Sequence, residues 1–457
     1  MRSPSIFERK ANMPNDAWII GRLRQLPLVV LVLLVAALGA GCHDILSVER
    51  PTLITPENIG KDSLTVAAMV AGAQGPFRAA YAVTAVHGAS ETDEALFSHV
   101  WSPWNQYDDR SVTADGGAYD GISYPELQQA RAAGEQMVAN IRAALGDASQ
   151  TSAGYADANA YAGYSALLIA DHLCAIPING GAPQTPDQVR QIAVGYLQEA
   201  AKVGAAAKAA DIVNLANVGL ARAYLGMGDK SNTVTYARKV PADFVAWVRY
   251  VADPDFGKWT KYNLYNRVSA LRSPSEFNLG YDPALMRAVH DLRVPYDTDS
   301  LFKLMDPRGL RYAYLPFEPS SFSHWVPGQP VMIQQDASIR FASGLEAQYD
   351  LAEAGGMSDA ELLAFINVRR EVGKVGSYSG PTDHASLFDE LLQQRKWDFM
   401  LAGFRMPDLI RYKRFYNKDL WPKGQIGGFI DGYKQNYGST ECWPIGLSEK
   451  NGNPNIP

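Results

Sequence analysis

The sequence has only three cysteines, Cys42, Cys174 and Cys442. No two stand at C-x-x-C spacing, which excludes a cysteine zinc site and a thioredoxin-type redox pair. Long apolar runs are also missing. The one that stands out, Leu26–Leu38, spans 13 residues, well short of the ~20 a helix needs to cross a bilayer. The histidines, at 43, 87, 99, 172, 290, 324 and 384, never recur at the i, i+4 spacing that sets two metal ligands on one helical face. There is no H-E-x-x-H, no G-x-S-x-G, no P-loop and no dinucleotide fingerprint. We therefore assign no catalytic residue, metal or cofactor. Basic residues are outnumbered, 42 Lys and Arg against 48 Asp and Glu for a net charge of −6. That balance argues against a nucleic-acid partner, which needs a basic face.

What the N-terminus does contain is an export signal. Residues 1–41 combine Arg2, Arg9, Lys10, Arg22 and Arg24 with the apolar run, and Met13 offers a second start. Small residues Gly39, Ala40 and Gly41 then lead into Cys42. This resembles a bacterial lipobox, with the departure that Gly39 stands where leucine is usual. Cys42 is expected to be lipidated, because acyl chains contribute about 0.8 kcal/mol per buried CH₂ and two or more anchor stably. Cleavage before it would take the net charge from −6 to −9, since residues 1–41 hold five basic and two acidic side chains. Cys174 and Cys442 remain as an even pair that an oxidising compartment could join; sequence does not place their Cα atoms, and of the two readings we favour separate buried thiols.

Residues 42–54 form a tether, and residues 55–457 a single domain: a helical scaffold over about 55–243 and 340–415, an insertion over about 244–335, and an irregular segment over 416–457. Thr55 and Pro56 suit an N-cap and first helical position. Val189, Ile192, Tyr196, Ala200 and Val203 share one helical face. Asn217–Pro241 is similar to a tetratricopeptide hairpin, with Leu220, Ala221 and Tyr224 on one helix, Gly228-Asp229 at the turn, Tyr236 and Val240 on the next, and Thr233 where alanine is usual. Further pairs are expected from YAGYSALLIADHLCAIPI with the 189–208 helix, from the segment turning at Gly355-Gly356 with Ser358 as cap, and from a long helix over about Leu387 to Ala402. The predicted fold is all-α.

The stretch Phe244–Trp325 holds 16 of the chain's 48 aromatic residues, too aromatic for disorder and suited to a loop-rich face on a rigid scaffold. Ahead of it, HVWSPWNQYDDRS spaces Trp101, Trp104 and Tyr107 by threes, with Asn105 and Arg110 among them. Flat rings beside amides and a guanidinium suit a sugar, whose C–H face stacks while its hydroxyls hydrogen-bond. Tyr314 and Trp325 offer a second wall. Burial of these aromatics in a core is the rival reading. Glu91, Asp93 and Glu94 lie close together, and we expect them to form a capped, solvated turn.

Several stretches resemble the SusD/RagB family of outer-membrane nutrient-binding lipoproteins. ERPTLITPENI resembles the family's post-cysteine segment and GASETDEALFS its Ser-Asp-Glu region. AEAGGMSDAELLAFINVRREV ends in the family's Asn-x-x-Arg, here Asn367 and Arg370. LLQQRKWDFMLAGFRMPDLIRYKRF resembles its arginine-rich helix through Arg395, Gly403, Arg405, Asp408, Leu409 and Arg411, while Gln394, Ala402 and Phe404 depart from the pattern at positions expected to serve packing. The resemblance implies a non-catalytic protein, surface-exposed on the outer membrane, that captures an oligosaccharide or other nutrient and passes it to a SusC-like TonB-dependent transporter. By position it places the sugar site on Trp101, Trp104 and Asn105. The competing readings are a tetratricopeptide-type adaptor that binds a protein and, further off, a glycoside hydrolase.

Overall fold

The computed structural model describes residues 63–97, 106–250, 268–271, 338–424 and 436–456. The signal, Cys42, the tether and the Thr55-Pro56 helix start lie outside the described residues, as does most of the insertion.

Alanine and glycine set how closely the helices pack. Helix α1 (Ser63–Glu91), α2 (Tyr124–Leu145), α3 (Ala153–His172), α4 (Pro186–Ala206), α5 (Ala210–Met227) and α6 (Lys230–Ala237) follow one another with short connections. Helix α3 is buried around nearly its whole circumference, as a helix apolar on every side must be. A Cβ at Gly134 of α2 would sit 2.8 Å from Ala162 Cα, and one at Gly163 would sit 2.6 Å from Leu197 Cγ. Those two glycines let α2 and α4 close on α3 from either side. The inward face of α4 centres on Val189, Ala193, Leu197, Ala200 and Val203. Ile192 and Tyr196 flank that face instead of filling it.

The tetratricopeptide-like hairpin is α5 and α6. Gly228 takes the left-handed φ of 78° that ends α5. Asp229 caps α6 by accepting from the Asn232 N–H at 3.0 Å. Tyr224 and Tyr236 stack across the pair at 5.6 Å. Thr233 is tolerated in its alanine position because its hydroxyl donates to the Asp229 carbonyl at 2.8 Å, so burial leaves no orphan donor.

After the insertion the scaffold resumes with α7 (Gly344–Glu353), α8 (Asp359–Val372), α9 (His384–Asp398), α10 (Arg405–Tyr416) and the short α11 (Leu447–Gly452). Gly355 supplies the turn at φ 80°. Ser358 and Glu361 form a capping box at the start of α8. Asn367 accepts from the Tyr378 N–H at 2.7 Å, and Arg370 donates to the Gly376 and Val375 carbonyls, so the Asn-x-x-Arg pair shapes the turn after α8.

Strands are few and short. β1 (Ala95–Phe97) pairs with β5 (Val268–Leu271), β2 (Ile176–Pro177) with β3 (Pro183–Gln184), and β4 (Val245–Val248) with β6 (Ile339–Ser343), all antiparallel. Pairs this small are marginal alone and borrow their stability from the helices. The fold is all-α, and among the described residues no helix is long and apolar enough to cross a membrane.

Cys174 and Cys442 are joined in a disulfide, with Cα atoms 5.1 Å apart across a separation of 268 residues. This corrects the expectation of two buried thiols: Cys174 is exposed and Cys442 half-buried. The reason is local backbone pairing. Cys174 N–H donates to the Trp443 carbonyl at 2.9 Å and Trp443 N–H to the His172 carbonyl at 2.7 Å, which places the two thiols side by side. Sequence distance carries no trace of that.

Candidate functional site

Two of the aromatic-loop residues assigned from sequence fall in the interior. Tyr107 is fully buried, its hydroxyl 2.6 Å from Ser123 Oγ and its ring 4.3 Å from that of His87. Arg110 adopts φ 56° and donates to the Pro422 carbonyl at 2.6 Å and the Thr440 carbonyl at 3.0 and 3.1 Å, while its guanidinium lies 4.5 Å over Trp421. Gly438 N–H donates to the Asp109 carbonyl at 2.6 Å. The 106–111 turn is thus clamped beneath the C-terminal segment. Tyr107 and Arg110 support the loop and present no open face, because their polar groups are already engaged with protein. Trp101, Trp104 and Asn105 lie outside the described residues, as do Tyr314 and Trp325.

The backbone does join the loop to the insertion. β1 leads directly into residues 98–105, and its partner β5 belongs to the aromatic-rich insertion, with Ala95 opposite Leu271 and Leu96 opposite Ala270. That pairing ties β1 to the insertion. On the other side, the buried 106–111 turn holds the end of the same loop.

The acidic triplet just before β1 is packed. Glu91 is fully buried and accepts from the Trp443 indole N–H. Burial pushes its carboxyl up to about 8, and the Trp443 hydrogen bond and Arg110 only partly oppose this. Glu94 is also raised to about 8 by burial and by Asp93, although it accepts from the Leu401 N–H at 3.3 Å. Burial acts on Asp93 in the same direction, but Arg405, which grips both of its oxygens at 2.6 and 3.0 Å, and Lys396 hold its carboxyl below the usual range. The expected solvated turn is corrected: Glu91 and Glu94 are buried and Asp93 is half-buried, because α10 and the C-terminal segment contribute Arg405 and Trp443 to cover them. Burial likewise lowers His87 to about 3, keeping it neutral.

The arginine-rich segment extends this network. Arg395 bridges Asp350 and Asp408, each at 2.9 Å. Arg411 pairs with Glu353 at 2.6 Å and Asp408 at 2.8 Å. Arg222, which the sequence reading missed, pairs with Glu346 at 2.6 Å from the tetratricopeptide-like helix. The departures from the family pattern serve packing. Phe404 lies under the Arg222 and Arg395 guanidiniums at 4.9 and 5.8 Å, Ala402 offers its carbonyl to Tyr81 Oη at 2.6 Å, and buried Gln394 donates to Glu390 at 2.7 Å. Trp443 was missed as well. Its only sequence signal is proximity to Cys442, which the unpaired-thiol reading discarded.

Among the described residues no group of His, Cys, Asp and Glu is arranged to hold a metal ion. What the described residues offer is an ion-paired network around the acidic triplet, together with the β1–β5 backbone pairing.

No family model matches the sequence, and no curated protein matches it. Solved structures match its fold, several of them described as SusD superfamily proteins. A SusD-like carbohydrate-binding protein from Bacteroides fragilis NCTC 9343 aligns over 87% of this chain and 99% of its own at 13% identity, with a TM-score of 0.57. A SusD superfamily protein from Bacteroides thetaiotaomicron aligns over 87% and 98% at 15% identity and TM-score 0.55. A putative sugar-binding protein from Bacteroides vulgatus aligns over 86% and 97% at 14% identity and TM-score 0.56.

Proposed function

We propose that this protein is a non-catalytic, glycan-binding lipoprotein. It is held on the outer membrane through lipid on Cys42, faces the cell surface, and hands oligosaccharide to a SusC-like TonB-dependent transporter. The observation that carries the reading is coverage: the match to proteins described as carbohydrate-binding spans nearly all of their length. Local support comes from the β1–β5 pairing, which ties the Trp101–Trp104 loop to the aromatic insertion. Stacking on such rings with amide hydrogen bonds is the chemistry of sugar recognition. In this reading Trp101, Trp104 and Asn105 contact ligand, Tyr314 and Trp325 form the facing wall, and Tyr107 and Arg110 position the loop from below.

The test is a fluorescence titration of the domain from residue 55 onward with plant, algal and microbial oligosaccharides. A saturable change with one glycan class is expected, weakened at least tenfold by Trp101→Ala or Trp104→Ala. Undiminished affinity in both variants removes the site. Indifference to every glycan, together with tight capture of a protein other than the transporter, favours the adaptor reading. Turnover of a glycan by the purified domain contradicts the absence of catalysis.

A further inference from the structure

A narrow cleft of about 40 Å³ opens between α3, α4, α5, α9 and α10. Its walls carry five guanidiniums, from Arg190, Arg222, Arg395, Arg411 and Arg414, and only two carboxylates, Asp171 and Asp408. The other acids that pair with these arginines (Asp187, Glu346, Asp350 and Glu353) are not part of the lining. Six carboxylates pair with the five guanidiniums, and four of the six lie outside the lining.

The hydrogen bonds leave donors over. Arg190 is 5% exposed, and its Nε is buried with no partner. Arg222 uses Nε and Nη2 on Glu346 and the Phe341 carbonyl, which leaves Nη1. Arg395 uses Nε and Nη1 on Asp408 and Asp350, which leaves Nη2. No described residue accepts from these three nitrogens, and of the three Arg190 Nε is the one buried without a partner. A buried guanidinium N–H without an acceptor costs free energy, and a charged acceptor satisfies it better than a neutral one. The volume admits a few waters or one small ion.

We propose that this cleft binds a small inorganic anion, of halide or phosphate size, that fastens α9 to α4 and α5. The cleft draws donors from α4, α5 and α9, so an anion there cross-links elements distant in sequence.

The test compares thermal unfolding of the domain from residue 55 onward in sodium bromide, sodium phosphate and sodium gluconate at one ionic strength, with crystals grown in bromide examined by anomalous diffraction. Bromide or phosphate is expected to raise the midpoint saturably by a few degrees over gluconate, with a bromide peak between Arg222 and Arg395. Ile410 lines the cleft and is half-buried. In Ile410→Glu the new carboxylate supplies the charge in cis, and the anion response is expected to vanish. Equal midpoints in all three salts, or a cleft holding only ordered water, overturn the proposal. A bromide peak without a midpoint response marks an adventitious ion only and overturns it too. Both wild-type measurements stand even where the variant fails to fold.

Discussion

Replacing Glu91 by glutamine should leave stability nearly unchanged at pH 5 and raise it at neutral pH. Glu91 is fully buried, hydrogen-bonded to the Trp443 indole, and held near pKa 8 against an ordinary value of 4.5. An acid whose folded pKa is raised binds its proton more tightly in the fold. Its stabilising preference is therefore complete below pH 4.5 and is lost as pH climbs, at about 1.4 kcal/mol per pH unit, until it levels off above 8. Linkage puts the cost of the ionisable side chain at about 1 kcal/mol or less at pH 5 and about 3 kcal/mol at pH 7. Glutamine has nearly the same shape, keeps an acceptor for the indole and does not ionise. The assay is urea unfolding followed by tryptophan fluorescence at pH 5, 6, 7 and 8. Wild type and Glu91→Gln should be close at pH 5 and diverge in favour of the variant by about 3 kcal/mol at pH 7. Parallel curves across that range refute the argument, since they mean that Glu91 exchanges no proton on folding.

Three other outcomes can be checked by the same unfolding assay. Cys174→Ser with Cys442→Ser should cost about 2–4 kcal/mol, with about 5–6 as the chain-entropy bound for so long a loop; unchanged stability on reduction would show that the backbone pairing alone seats Trp443. Asp93→Asn should cost about 3–5 kcal/mol, because Lys396 and Arg405 are left buried without a counter-charge, and a neutral result would mean water reaches them. Gly163→Val places side-chain carbon against Leu197 and should cost about 1–3 kcal/mol, whereas Gly195→Ala, which meets nothing, should not destabilise.

The hairpins were legible because their signals are local. Gly228-Asp229, Gly355-Gly356 and the Ser358 cap work through residues within four positions of each other. The acidic triplet was not legible. Asp93 meets Arg405 across 312 residues, and Glu91 meets Trp443 across 352. Nothing in GASETDEALFS distinguishes acids facing water from acids facing an ion-paired core. Tyr107 shows the same limit. Its place in the aromatic loop suggested a ring open to ligand, but it is buried against His87.

By itself the sequence determined the class of element and its ends, because helix periodicity, capping and left-handed glycines depend on neighbours along the chain. It also set the small residues, Gly134 and Gly163, that allow close helix packing. Only the tertiary structure decided the Cys174–Cys442 bond, the burial of Glu91 and Glu94, and the gathering of five arginines around one cleft. Each of those depends on which distant segments meet, and an ion pair, a disulfide or a desolvated carboxyl exists only once they do.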